Sequence, residues 1–111
     1  MRWFRCYWDE EDVWFYFEVD AEGLVIRQVE LQGPDGNAIA AADLDEWQRA
    51  QASERLSTYE ATYGFTAALP TPEWGDHEPE WLTTEAFEHV WGQARRQIAA
   101  RSGALSAGVE E

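Results

Sequence analysis

Residues 2–19 read RWFRCYWDEEDVWFYFEV, and the folding of this stretch decides how the remainder of the chain must pack. Eight of these residues are aromatic, and four consecutive acids, Asp9 to Asp12, interrupt them. Side chains alternate sides along a strand, so Phe4, Cys6 and Trp8 point one way and Trp3, Arg5 and Tyr7 the other. Beyond the acids, Val13, Phe15, Phe17 and Val19 make one apolar face, while Trp14, Tyr16, Glu18 and Asp20 make its opposite. A hairpin that sets Trp8 against Val13, Cys6 against Phe15 and Phe4 against Phe17 joins apolar face to apolar face. A slip of one residue would mix them, so the pattern specifies this register.

Working outward, Ala21-Glu22-Gly23 reads as a three-residue hairpin loop, with Gly23 free to take positive φ. A third strand, Leu24 to Gln32, is expected with Asp20 opposite Leu24, Val19 beside Val25, Phe15 beside Val29 and Val13 beside Leu31. Gly33-Pro34-Asp35-Gly36 is a turn signal, followed by a short fourth strand from Asn37 to Ala41. Asp43 to Tyr63 contains neither Gly nor Pro and predicts helix, broken near Ser53 and ended by Gly64. Phe65 to Leu69 predicts a short strand, and the stretch from Pro70 to Pro79 an acidic loop. Thr83 or Thr84 is expected to cap a last helix whose stripe is Phe87, Val90, Trp91, Ala94 and Ile98. Arg95, Arg96 and Arg101 would complement the dipole at its C-terminal end.

The fold class is therefore α+β: an antiparallel four-stranded meander in the N-terminal half, packed by a middle helix and a C-terminal helix. Residues 1–101 form a single domain in this reading, and 102–111 a flexible tail. The face of Phe4, Cys6, Trp8, Val13, Phe15, Phe17 and Val19 is expected to be core beneath the last helix. The opposite face holds Trp3, Tyr7, Trp14 and Tyr16, joined by Leu24, Ile26 and Ile39. Too large to lie bare in water, it needs the middle helix, a second copy or a partner to cover it.

Twenty-two acids against eight bases, all of them arginine, give a net charge of −14. A polyanion of this kind disfavours nucleic acid and anionic membranes and suits a basic protein partner. Cys6, the single cysteine, excludes an internal disulfide and is expected to be a buried thiol. The start of the chain carries neither a basic leader nor a long apolar run, which predicts a cytoplasmic protein.

Chemistry-bearing constellations are sparse. No Ser, Cys or Thr is matched with a base, no phosphate-binding glycine loop follows a strand, and no cofactor is expected. Asp76, His77, Glu78, Glu80 and His89 match no strong metal-ligand spacing, so solvated histidines are expected there. The chain reads as a non-enzyme. Arg27 falls on the apolar face opposite Phe17 in the expected register, as either a structural ion pair or an anion-binding group. The acids form two blocks: Asp9, Glu10, Glu11 and Asp12 on one hairpin tip, then Glu73, Asp76, Glu78 and Glu80 interleaved with Trp74 and Trp81. Acid steers an encounter and tryptophan anchors it, so these are the expected partner-binding residues.

The aromatic opening strand, FEVDAEGLVIRQVEL, then ALPTPE and LTTEAFEHVW together resemble an uncharacterised family of small bacterial proteins, a domain of unknown function. The resemblance covers residues 1–96 and implies an antiparallel sheet closed by a C-terminal helix through its Phe and Trp. Glu18, Arg27, Glu30, Phe87 and Trp91 occupy matching positions, and no catalytic residue is among them. The segment from Asp43 to Gly64 is longer here. In type, though not in motif, the chain is also similar to bacterial toxin-immunity proteins. The functional expectation is thus an immunity-type inhibitor of a basic toxin or other basic enzyme. The alternatives are a small-molecule-binding domain, with Arg5 or Arg27 holding an anion beside the outer aromatics, and a purely structural homodimer.

Overall fold

A computed structural model describes residues 1–66 and 79–110, with the backbone alone for 102–110. Four strands follow in chain order: β1 (Arg2–Trp8), β2 (Val13–Val19), β3 (Val25–Gln32) and β4 (Asn37–Asp43). The helices α1 (Leu44–Ala52) and α2 (Leu56–Tyr63) come next, then β5 (Glu80–Leu82) and α3 (Thr84–Glu110). Among the described residues the strands form one five-stranded antiparallel sheet in the order β4-β3-β2-β1-β5. The protein is α+β.

The first hairpin has the expected register, Trp8 opposite Val13 and Phe4 opposite Phe17. The second begins as expected. The Asp20 carboxylate accepts hydrogen bonds from the Glu22 and Leu24 backbone N–H groups, Gly23 takes φ +84°, and Val19 pairs with Val25. Ile26 then bulges out of β3, so that Glu18 faces Arg27 and Tyr16 faces Val29. An extra residue exchanges the faces of everything beyond it. Val29 therefore stands beside Tyr16 instead of Phe15, and Arg27 opposes Glu18 instead of Phe17. A second bulge, at Ile39, lies between β3 and β4.

The bulge decides where the last helix lands. Trp3, Trp14, Tyr16, Val29, Leu31, Ala38 and Ala41 now share one apolar face, and Phe87, Ala94 and Ile98 of α3 pack upon it. The expectation that α3 covers the Phe4 face is corrected: it covers the Tyr16 face. Leu24 and Ile39, expected to widen the outer patch, are about two-fifths exposed at a turn and a bulge. The Phe4 face is buried as well, and Phe4, Cys6, Phe17, Val19 and Val25 form a second cluster with no member more than 3% exposed.

The middle segment breaks at Ser53–Arg55, as expected. Asp43 caps α1 by accepting from the Glu46 N–H, and Gly64 ends α2 at φ +84°. A Cβ on Gly64 would come within 3.0 Å of the Ala40 Cβ, so only glycine allows α2 to end this close to β4. The backbone adds detail at three places. Phe65–Thr66 is not strand, with residues 67–69 outside the described residues. Glu80–Leu82, given no element in the sequence reading, is a strand, which makes the sheet five-stranded rather than four-stranded. The backbone is helical through Glu110, across the stretch expected as a flexible tail, and Gly103 and Gly108, each costing a helix about 1 kcal/mol, do not end it. Thr83 supplies the cap, accepting from the Ala86 and Phe87 N–H groups.

Candidate functional site

Arg27 is held between sheet and helix. Its guanidinium donates to both carboxylate oxygens of Glu18 at 2.8 and 3.0 Å and to both of Glu88 at 2.9 and 2.8 Å. Trp3 Nε1 donates to Glu18 at 2.8 Å, and Phe87 and Trp91 lie 5.0 Å from the guanidinium carbon. Burial alone would lower the Arg27 pKa, and the bonds to Glu18 and Glu88 outweigh it. The Arg27 bonds in turn hold the Glu18 and Glu88 carboxyls below the usual carboxylate range. Arg27 is thus a fully partnered ion-pair centre that fastens the start of α3 to β2 and β3.

The same helix seals the β4 edge of the sheet. Ala38 donates its N–H to Gln97 and accepts at its carbonyl from Arg101; the Ala41 carbonyl accepts from Arg95 at 2.9 Å. Tyr59 of α2 accepts from the Asp43 N–H and donates to Glu46, which also pairs with Arg95. Arg95 lies over the rings of Tyr63 and Trp91. Arg95 and Arg101, expected to serve the helix dipole, instead serve the edge strand. Burial tends to raise the Glu46 pKa, but Arg95 and Tyr59 bring it below the usual range.

The other edge is different. Asp9, Glu10, Glu11 and Asp12 are exposed in the β1–β2 turn, with Asp12 at φ +54°. The Asp12 carboxylate accepts from the Tyr7 hydroxyl at 2.7 Å, and its carbonyl from the Gly33 N–H at 2.9 Å. Glu80 pairs with Arg5 at 2.6 Å, and Trp81, 62% exposed, rests beside Phe4 with ring centres 5.5 Å apart. Because Glu80 stands opposite Arg5, four residues before Asp9, the two acidic groups share one sheet edge. They lie roughly 13 Å apart along β1. Glu73, Trp74, Asp76 and Glu78 lie outside the described residues.

Of the outer aromatics, Trp3 and Tyr16 belong to the core beneath α3 and Trp14 packs against it, while Tyr7, Trp14 and Tyr16 line an open cavity of about 410 Å³. Arg5 lines it as well, 4.1 Å from the Trp14 ring centre and donating to Tyr16 Oη at 3.1 Å. A second hollow, about 330 Å³, opens between α1 and α2 beside Arg49, Arg55 and Tyr59. Burial pushes the Cys6 thiol up to about 11, so it is not a thiolate at neutral pH. Among the described residues no cluster of His, Cys, Asp and Glu is arranged to hold a metal, and no helix is long and apolar enough to cross a membrane.

Sequence reasoning offered a structural ion pair at Arg27 without naming Glu18 and Glu88 as its partners, and it missed the edge-sealing roles of Tyr59, Arg95, Gln97 and Arg101. The available signal for the last group was the set of long polar side chains on the sheet-facing side of an apolar stripe. No family model matches this chain, and no curated protein or solved structure matches it at a significant level. The resemblance in motif order therefore rests on the sequence alone.

Proposed function

We propose that the protein is a non-catalytic acidic binding module of the bacterial cytoplasm, most concretely an immunity-type inhibitor of a toxin or other basic enzyme. The observation that carries this is the gathering of the exposed Asp9–Asp12 tip, Glu80 and Trp81 along one sheet edge. Dense negative charge speeds encounter with a basic surface, and an exposed tryptophan supplies contact area once the two meet. Half of the eight arginines are engaged by acids within the fold: Arg5, Arg27, Arg49 and Arg95 each pair with a carboxylate.

The test expresses the proteins encoded beside this one and measures their association with it as ionic strength rises. A steep fall in association rate, reproduced by neutralising Asp9 to Asp12, is the expected result. A partner whose binding ignores that neutralisation, or the absence of any partner there, overturns the reading.

The cavity beside Arg5 favours a second reading, a small-molecule site with Trp14 as wall and Arg5 as the charged group. Arg5 already bonds to Glu80 and Tyr16, which leaves it less to offer an anion. Thermal melts against a metabolite library separate the two, because a ligand that fits raises the melting temperature and a protein-only binder stays flat.

A further inference from the structure

We propose that the hollow between α1 and α2 binds a small organic oxyanion, a flat ring carrying a carboxylate or a phosphate. Arg49 and Arg55 hold the charge, and Tyr59 and Tyr63 form the wall for the ring. The site is separate from the acidic edge and does not rest on the partner reading.

The chain is poor in cations, with eight arginines and no lysine. Two of the eight nonetheless line this one hollow, and no carboxylate residue is among the described residues that line it. The turn between the helices brings them there. The Arg55 N–H donates to the Ala50 carbonyl at 2.8 Å and the Glu54 N–H to that of Gln51 at 3.2 Å, which folds the chain back on the end of α1. Such a closure needs a left-handed residue, a place glycine usually takes, and here Glu54 holds it at φ +60°. Strain of this kind gathers where a segment is held for a task.

The wall is set before any ligand arrives. The Tyr59 hydroxyl accepts from the Asp43 N–H at 2.9 Å and donates to Glu46 at 2.7 Å, which pins its ring. The Tyr63 ring centre lies 5.1 Å from that of Tyr59 and 3.9 Å from the Arg95 guanidinium carbon. Rings already fixed lose little freedom on binding. Ser53 and Thr58 add hydroxyl groups to the lining, which can donate to an oxyanion. At about 330 Å³ the hollow is at the small end of ligand sites, with room for one ring and its acid group.

Charge selects the sign of the ligand. The carboxylates of the two helices are occupied: Asp45 by Arg49, Glu46 by Arg95 and Tyr59, and Glu60 by the Trp47 indole. Glu54, in the turn, is not among the lining residues. The Arg49–Asp45 pair is exposed, 76% and 64% at its side chains, and exposed pairs contribute little, so Arg49 can turn to a ligand. A net charge of −14 opposes any anion at long range, which salt screens, whereas the two guanidiniums act at contact.

The test titrates the intact protein with phenyl phosphate and with benzoate, followed by backbone amide shifts in NMR. Inorganic phosphate and benzylamine, a cation of similar shape, are run beside them. The expected result is saturable shifts at Ser53, Arg55, Thr58 and Tyr59 with at least one aromatic anion, and none there with benzylamine. Inorganic phosphate should bind about tenfold more weakly than that anion, and the tighter of the two aromatic anions identifies the acid group. Arg49→Ala and Arg55→Ala should each weaken it about tenfold, the weight of one charged hydrogen bond, while the urea midpoint hardly moves. Absent shifts, or shifts centred on Arg5 and Trp14, overturn the proposal. So does an affinity indifferent to both substitutions, benzylamine binding at the same residues, or inorganic phosphate binding as tightly as the aromatic anions.

Discussion

The two long edges of the sheet are built from opposite materials. The β4 edge is lined with alanine, small enough for helices to approach, and its polar groups are finished by arginine, glutamine and tyrosine side chains. The β5 edge carries an exposed tryptophan, an exposed ion pair and an acidic turn, with one short strand partly covering β1. What the difference teaches is a division of labour. The side chains that close an edge gather along β4, whereas the other edge leaves Glu80 and Trp81 exposed above a core that includes Phe4 and Cys6, and these exposed groups are the ones the proposed binding role would use.

The largest effect should come from the buried end of that division. Arg27→Ala leaves Glu18, whose side chain is 10% exposed, without its bidentate partner, and also releases Glu88 of α3. Breaking such a pair costs about 3–5 kcal/mol, to be read from the midpoint of urea unfolding. Acid titration sharpens this. Glu18 and Glu88 have lowered folded pKa values, so their contribution is complete above the unfolded carboxylate value of 4.5 and is lost as pH falls through the folded values. Glu30 works the other way. Burial raises its pKa, so its contribution is present below 4.5 and is lost as pH rises through the folded value. The parent protein should therefore lose stability on acidification more steeply than the Arg27→Ala variant. Parallel pH profiles would remove the pair from the account.

Arg95→Ala attacks the comparison directly by removing a side chain that closes the β4 edge. It strips a charged donor from the Ala41 carbonyl and from Glu46, with a cost of about 2 kcal/mol. Faster hydrogen exchange along β4 and association that grows with protein concentration should accompany the loss, as for any uncovered strand. Loss of stability without either change would mean that Arg95 anchors α1 but does not guard the edge.

Much of this architecture was legible in the chain. The β1–β2 register could be read because Val13, Phe15, Phe17 and Val19 tolerate a single partner face, and Gly23 and Gly33-Pro34-Asp35-Gly36 marked the turns. The bulge at Ile26 could not. Leu24 to Val29 is apolar or long-stemmed at almost every position, so no side chain objects to either register, and one unseen residue exchanged the faces. That exchange moved α3 across the sheet and gave Arg27 its partner in Glu18. The acidic tip was legible as exposed charge. Its sharing of an edge with Glu80 and Trp81 was not, because β5 has three residues and no periodicity to read. The sealing of β4 was hidden for a different reason: a side chain that bonds a distant carbonyl leaves no pattern in its own segment.

A smaller effect is expected from Gln97→Ala. It removes the side-chain acceptor for the Ala38 N–H, a group on a residue with no exposed surface. The cost should be about 1 kcal/mol, with faster exchange at Ala38 and little change elsewhere. An unchanged Ala38 amide would show that the edge is sheltered by helix packing rather than by the bond itself.

The smallest effect on stability, and the most informative, is expected at the acidic edge. Glu80→Gln ends the ion pair with Arg5, yet the Glu80 side chain is 54% exposed and that of Arg5 33%. Exposed pairs of this kind contribute about 0–1 kcal/mol, so the unfolding midpoint should hardly move. Association with a basic partner should nevertheless slow, because a charge has left the edge the partner approaches. The two readouts must separate for the division of labour to stand. A protein that loses stability at Glu80 as it does at Arg95 would have two structural edges, and its acidic face would be a by-product of folding rather than a surface for binding.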